Sequence, residues 1–429
     1  MDKKYKLLMI SDHILSPSGV ALQSRYIAEH LLKTGKFKII SISVAMSHQD
    51  TRIVKTHEYG DDLIIVPATR YDDQQLIRQI MDAEKPDALW IMTDPRFYMK
   101  LFEMAGEVKK QCPILWNCIW DNPPTPLYNR PLYDCIDFFG CINKVMFNIA
   151  NEMGYGDRAK YIPHGVPPEL YFPLEESQYA LRKKHLGSDE LANNVEFVLF
   201  YCSRNALRKR TGNVIMAYKK FLEDLPEDKR DKVFLCMHTP PKDPEGQDLF
   251  RFIDDMGLKG KVGISGNKQV GFDVLNEYYN MADVTVIQSS EEGFGLSCLE
   301  SLMCGTPVIA GKTGGLQDQL YDPETKETFG VLMEPDATTM LGSQQTPYIF
   351  SHHFDYDRTA KHIRMLFDEK MALGSKAYKE KWAGTKARES MMRRFNLENV
   401  RKQWEDVIVE YIESHKIKMT DRKIEIIEV

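Results

Sequence analysis

DVTVIQSSEEGFGLSCLESLMCGTPVIAGKTGG, residues 283–315, packs a strand, a polar loop, a helix, a turn, a second strand and a second turn into one run. The apolar stretch 283–289 predicts a buried strand, 294–304 a helix and TPVIA at 306–310 a further strand. Gly293 and Gly295 open the helix. Without a Cβ they let the backbone approach a ligand closely. The first helical amides, near Leu296 and Ser297, have no partner inside the helix. Those amides and the helix dipole favour an anion such as a phosphate. Glu292 precedes the glycines and Glu300 sits within the helix. Carboxylates repel phosphate but accept hydrogen bonds from hydroxyls. The combination suits a ligand with both phosphates and sugar hydroxyls. A plainer reading stands beside it: Glu300 shares a helix face with Ser297 and Ser301 and reads as a solvated residue. Glu292 reads equally as a helix-start carboxylate, and a G-x-G pair alone is a weak signal.

Outward from this stretch the same alternation fills the chain. In the first half, strands are expected at 6–11, 37–44, 61–67, 87–93, 113–120, 136–142 and 160–164. Helices are expected at 20–33, 73–84, 96–110 and 143–153. The Pro-rich stretch 164–177 interrupts the pattern, which then restarts with strands at 195–203, 232–238 and near 261–264 and helices at 211–223, 246–256 and 271–281. Buried strands alternating with helices predict parallel sheets covered on both faces. The last hundred residues read as helical, over 357–374 and in a long run from about 376 to 416. The domains expected are 1–173 and 174–405, followed by a C-terminal segment 406–429. Such paired sheets leave a deep cleft beyond the strand ends, where ligands bind.

The bulk composition fits this picture. The chain has 429 residues, 43% hydrophobic and 28% charged, with a net charge of −6. Two cores are affordable at that length, and the acidic balance gives no reason to expect nucleic acid as the main partner. The eight cysteines form no C-x-x-C pair and no zinc-finger spacing, so they read as reduced. No signal peptide and no apolar run long enough to span a bilayer is present, which leaves a cytoplasmic location and at most peripheral membrane contact as the expectation.

Glu292-Gly-Phe-Gly-Leu-Ser-Cys-Leu-Glu300 resembles the E-x7-E motif of family-4 retaining glycosyltransferases of GT-B fold. Cys304-Gly305-Thr306-Pro307-Val308 and Gly314-Gly315 are in register with that family. Tyr278-x3-Ala282-Asp283 resembles its Y-x2-A-D approach to the strand with one extra residue between. Ile162-Pro163-His164-Gly165-Val166 resembles its interdomain I-P-N-G-V linker, with His164 where Asn is usual. Ser203-Arg204-x4-Lys209 resembles its R-x4-K pair. The resemblance is good over roughly 160–335 and weaker before it. In the first half, Ser16-Pro17-Ser18-Gly19-Val20 stands where the family often has paired glycines, and only Gly19 is present. The region of Ile119-Trp120-Asp121-Asn122 holds no His where many members have one; Asp121 takes its place or forms a turn. Thr93-Asp94-Pro95-Arg96 ends another strand on the acceptor side.

The resemblance implies α/β architecture of GT-B type, with 1–173 an acceptor-side Rossmann-like domain, 174–405 a nucleotide-sugar-binding Rossmann-like domain and 406–429 a helix and tail returning to the first. It also implies transfer of a sugar from a UDP- or GDP-linked donor to an acceptor hydroxyl with retention. Catalysis would rest on Glu292, Arg204, Lys209 and Asp121. The donor would contact Gly19, Gly293, Phe294, Gly295, Leu296, Ser297 and Glu300. Arg204 and Lys209 would neutralise the departing pyrophosphate, Glu292 would contact the donor sugar and Glu300 the ribose. No Asp-x-Asp site stands out, so no metal and no cofactor beyond the donor are expected. The acceptor would be a polysaccharide, a lipid-linked sugar or a protein glycan. Hydroxymethylated DNA bases, as for phage-type DNA glycosyltransferases, are an alternative, supported by Lys376-Lys379-Lys381-Lys386-Arg388 and Arg393-Arg394 unless these form a solvated helix face. An inactive sugar-nucleotide-binding or scaffold protein of this fold is a further alternative. A nicotinamide oxidoreductase is disfavoured because ISDHILSPSGV lacks the G-x-G-x-x-G fingerprint.

Overall fold

The computed structural model describes residues 3–45, 52–120, 122–266 and 270–420. They divide into two compact units. The first runs to His164 and includes Gly342–Pro347 and the chain from Leu397 onward; the second holds Gly165–Leu341 and Tyr348–Asn396. The division falls at 164/165 rather than at 173/174, and the returning segment begins at 397 rather than 406.

The first unit is built on an eight-stranded sheet: β1 (Tyr5–Asp12), β2 (Phe37–Val44), β3 (Val54–Lys55), β4 (Leu63–Pro67), β5 (Ala88–Thr93), β6 (Ile114–Cys118), β7 (Phe138–Cys141) and β8 (Ala159–Tyr161), in the order β3-β4-β2-β1-β5-β6-β7-β8. All pairs are parallel except β3–β4. The central strands are buried on both faces, which is why they read as unbroken apolar runs rather than alternating ones. The helix Leu397–Thr420 closes one face, placing Val400, Trp404, Val407, Ile408 and Ile412 in the core. Trp404 lies edge-on to Trp90 at 5.6 Å and packs against Gly140, where a Cβ would come within 2.3 Å of the ring. The expected helix 96–110 is broken into a 3₁₀ turn at Pro95–Tyr98 and short helices at Met99–Glu103 and Ala105–Val108. Tyr98 is pinned there by its hydroxyl, which donates to the carbonyls of Ile10 and Met92 at 2.9 and 2.6 Å.

The second unit carries a six-stranded parallel sheet: β9 (Phe197–Cys202), β10 (Val233–His238), β11 (Val262–Ile264), β12 (Val284–Ile287), β13 (Val308–Gly311) and β14 (Gly330–Met333), ordered β11-β10-β9-β12-β13-β14. A separate antiparallel hairpin, β15 (Ala337–Leu341) and β16 (Ile349–His353), follows. Asp283 anchors the middle of the sheet. Buried, it accepts from the backbone N of Val198 at 2.7 Å and from Arg182 at 2.7 Å, tying the starts of β9 and β12 together. The expected helical run 376–416 is interrupted twice, giving Ser375–Trp382, Gly384–Arg394 and Leu397–Thr420. The first break has a clear cause. Gly384 adopts φ +53 and donates its N–H to the carbonyl of Gly305 at 3.2 Å, so two backbones meet closely, with a Cβ on Gly305 only 3.3 Å from the Gly384 Cα.

Several cations of the basic clusters in this region have partners within the unit, while Lys381 and Arg393 keep 52% and 41% of their side chains exposed. Arg388 donates to the carbonyls of Tyr171 and Met303, Lys381 pairs with Glu369, Lys386 with Glu327, and Arg393 with Asp322 and Glu324. Lys379 donates to the Asn280 carbonyl and the Thr306 hydroxyl, each at 3.0 Å.

Candidate active site

The strand order of the second sheet reverses between β9 and β12, which pair directly through Leu199–Val284 and Phe200–Thr285. Loops leaving the carboxyl ends of two such strands diverge and open a crevice, the usual ligand position of an open parallel sheet. The loop after β9 carries Arg204–Lys209, and the loop after β12 carries Glu292–Gly295. The two are knitted together. The backbone N of Ser290 donates to the Arg208 carbonyl at 2.8 Å, and Arg208 Nη1 donates to the Glu291 carbonyl at 3.2 Å.

Lys209 and Glu292 meet at the centre as an ion pair, each with 11% of its side chain exposed. Ser289 Oγ donates to the same carboxylate oxygen at 3.0 Å. Burial alone would raise the carboxyl pKa of Glu292; Lys209, aided by Arg208, outweighs it and holds the group below the usual carboxylate range. Glu292 is therefore an ionised acceptor beside a cation, a pairing suited to a ligand with hydroxyls and anionic oxygens together.

The glycine loop is shaped by its neighbours. Gly295 sits at φ +87 and opens the helix Leu296–Met303, whose first carbonyl-bonded amide is that of Cys298, to Gly295 at 3.0 Å. The amides of Leu296 and Ser297 precede it. Gly314 and Gly315 form the bed beneath. A Cβ on Gly314 would lie 1.6 Å from the Glu292 carbonyl oxygen, and one on Gly315 2.6 Å from that of Phe294. Gly315 N donates to the Gly293 carbonyl at 3.2 Å and Gln319 Nε2 to that of Phe294 at 2.6 Å. The Phe294 ring packs edge-on against Phe395 at 5.7 Å and is buried, so this residue offers the site its backbone rather than its ring.

Glu300 is not a solvated residue. It is buried and accepts from the Tyr279 hydroxyl at 2.6 Å, and burial pushes its carboxyl pKa up. Ser301 is buried too, bonded to Thr285 and to the Thr306 carbonyl. Tyr279 was not anticipated; the sequence pattern drew attention to Tyr278, whose ring lies instead edge-on to His185 at 4.9 Å.

Arg204 is placed differently from Lys209. Its guanidinium grips Asp243 with two bonds, 2.8 and 3.0 Å, and pairs with Glu245 at 3.3 Å, with 56% of the side chain exposed. Asp243 lies in the Pro-rich loop after β10 and carried no signal in the sequence. The same loop braces Asn205, whose side chain exchanges bonds with the Gln247 backbone.

In the first unit the order reverses between β1 and β5. Gly19 begins the helix Gly19–Lys33, capped by Ser18, whose Oγ accepts from Ala21 N at 3.1 Å. Ser18 and Tyr71 both donate to the Asp12 carboxylate, each at 2.5 Å. Thr93, at φ +126, ends β5, and Asp94 beside it accepts from the backbone and guanidinium of Arg96. A β-branched residue in that conformation is strained, and such strain gathers at functional sites. Asp121 lies outside the described residues. His164 is buried and its pKa falls to about 3 through burial, so it serves the linker as a neutral ring. Among the described residues no group of His, Cys, Asp and Glu is placed to hold a metal, and no helix is long and apolar enough to cross a membrane.

Residues 185–341, which include both loops of the site, match the family model described as Glycosyl transferases group 1. The D-inositol 3-phosphate glycosyltransferase of Acidothermus cellulolyticus is 29% identical over 171 residues, 39% of this chain and 36% of that protein. The N-acetyl-alpha-D-glucosaminyl L-malate synthase of Bacillus anthracis is 24% identical over 251 residues, 58% of this chain and 53% of that protein. The matches thus span between about a third and a half of the length of these relatives. Among solved structures, Anabaena HepE in complex with UDP and glucose superposes with a TM-score of 0.66 at 14% identity, covering 95% of this chain and 100% of that one. Sucrose-phosphate synthase of Thermosynechococcus elongatus gives 0.70 at 16%, covering 96% and 100%. The fold is GT-B, with two Rossmann-like domains.

Proposed function

We propose that this chain is a retaining, metal-independent glycosyltransferase that moves a sugar from a nucleoside-diphosphate donor, UDP- or GDP-linked, to an acceptor hydroxyl. The observation that carries the reading is the Lys209–Glu292 pair, joining the loops that follow β9 and β12, beside the glycine-opened helix Leu296–Met303. A diphosphate entering there competes with Glu292 for Lys209. The ammonium turns to the phosphate, and the freed carboxylate accepts hydrogen bonds from the sugar hydroxyls. The amides of Leu296 and Ser297 add fixed dipoles aimed at the same anion. Glu300, held by Tyr279, accepts from the ribose. Arg204 joins the phosphate only by giving up part of its hold on Asp243.

In the transfer the bond from the anomeric carbon to the phosphate oxygen breaks, and the acceptor oxygen bonds to that carbon from the same face. The acceptor proton passes to a phosphate oxygen of the leaving group. Charge builds on the leaving diphosphate, where Lys209 and the helix amides are already oriented, so little reorganisation is needed. The acceptor is a glycan, a lipid-linked sugar or a similar hydroxyl compound, and the reaction runs in the cytoplasm. The UDP bound by Anabaena HepE makes UDP-sugars the first donors to test.

Thermal-shift titration against UDP-, GDP- and ADP-sugars tests the donor. One of them raises the melting temperature in a concentration-dependent way, as mass action requires. NMR of the product with that donor then reads the anomeric configuration. No shift with any sugar nucleotide refutes the reading, and an inverted product refutes retention.

A further inference from the structure

The first strand of the hairpin β15–β16 ends at Leu341, where the family match also ends, so β16 lies beyond the match, and this second strand touches both loops that carry the central ion pair. Ser351, 1% exposed, accepts a hydrogen bond from Arg210 Nη2 at 3.3 Å. The next residue, His352, donates its backbone N–H to the Ser290 carbonyl at 3.3 Å. Arg210 directly follows Lys209, and Ser290 lies two residues before Glu292. One strand therefore holds the two loops at matching points, one on each side of the pair.

The Arg210 contact matters because of its backbone. Arg210 stands at φ +51, ψ +40, a left-handed conformation that L-residues adopt at a cost. It starts the helix Thr211–Asp224 without a side-chain cap. This kink turns the chain so that Lys209 faces Glu292 while the helix leaves in another direction. Among the described residues the guanidinium Nε of Arg210 is buried without an acceptor, and the Ser351 bond restrains its far end.

We propose that Ser351 and His352 are positioning residues for the donor diphosphate. The β16 strand clamps the β9 and β12 loops so that Lys209 is presented to the phosphates at the correct separation from Glu292. The inference rests on the donor-site reading above. It assigns to the hairpin a role in holding the diphosphate and none in holding the nucleoside.

The test is calorimetric titration of the full chain with UDP and GDP, and with the matching monophosphates UMP and GMP. The variants are Ser351→Ala, Ser351→Thr and, as a control on the exposed strand β15, Met340→Ala. Ser351→Ala is expected to weaken the preferred diphosphate about tenfold, the effect of losing one hydrogen bond's worth of orientation, with the monophosphate unchanged. Ser351→Thr restores the diphosphate affinity, and Met340→Ala leaves both alone. Equal loss for diphosphate and monophosphate, or no loss for either, overturns the clamp while leaving the donor site standing. Failure of the unaltered chain to bind either diphosphate overturns the donor reading and the clamp with it. Should Ser351→Ala fail to fold, an affinity for the diphosphate in Ser351→Cys equal to that of Ser351→Thr overturns the clamp, since a thiol is a poor acceptor for Arg210.

Discussion

Lys209 and Glu292 each depend on the other for being tolerable inside the protein. A buried ion pair contributes little net stability, but removing one partner strands the other's charge. Lys209→Ala is therefore expected to abolish transfer and also to destabilise the second unit by about 3–5 kcal/mol. Denaturant melts followed by a probe in that unit read the loss. The isosteric double change Lys209→Met with Glu292→Gln recovers most of the stability and stays inactive. A Lys209→Ala protein as stable as the unaltered chain would show that Glu292 has another counter-charge. This pair was legible in the sequence as residue types at the right spacing, a cation after one strand and a carboxylate after another. What it pairs with was not. Asp243 opposite Arg204 and Tyr279 opposite Glu300 are long-range partners, and such contacts leave no periodic trace in the chain. The solvated reading of Glu300 failed for the same reason: a helix face of Ser and Glu looks wet until the hydroxyl that satisfies it is seen.

The donor loop is an element shaped by another element. Gly314 and Gly315 are needed because the Glu292–Phe294 backbone rests directly on them. Gly315→Ala forces a methyl to within 2.6 Å of the Phe294 carbonyl oxygen, so the loop must lift. The expected cost is about 1–3 kcal/mol of overpacking, with donor affinity falling more than stability. Calorimetry with the sugar nucleotide and a thermal melt on the same variant separate the two. The turn after the following helix makes a pH prediction. Ser390, the Glu324 amide and Arg393 all reach the buried Asp322, and despite burial, which acts the other way, they hold its pKa down at about 2. A folded pKa below the unfolded one means stability that is full above pH ~4 and lost as pH falls toward 2. Asp322→Asn is expected to flatten that acid limb in a pH series of melts; an unchanged slope contradicts it. Most elements were readable because buried parallel strands are continuous apolar runs, and Phe37–Val44 is found at its expected bounds. The hairpin was not, because every residue of β15 is exposed and the strand has no buried face to impose a period of two. The breaks in the helical run were not either. The first is fixed by Gly305, far away in sequence, meeting Gly384.

At the scale of the molecule, each unit keeps its own core, and the C-terminal helix belongs to the first. Trp404 is the residue that seats it, over Gly140 and against Trp90. Trp404→Ala is expected to cost the first unit about 3–5 kcal/mol. Hydrogen exchange at the β5 and β7 amides detects this without assuming two-state unfolding of a two-unit chain. Exchange unaltered there would mean the helix docks without it. The architecture itself was legible from the alternation of strand and helix and from the restart after the Pro-rich stretch. Its internal boundaries were not, since Gly165–Pro173 looks like linker yet groups with the second unit. The central claim concerns where a diphosphate goes. A crystal structure with UDP-glucose bound measures it directly. The account predicts a phosphate oxygen within about 3 Å of Lys209 Nζ, the Glu292 carboxylate turned to the sugar, and the amides of Leu296 and Ser297 facing the diphosphate. A diphosphate bound elsewhere, with Lys209 and Glu292 still paired, would contradict it.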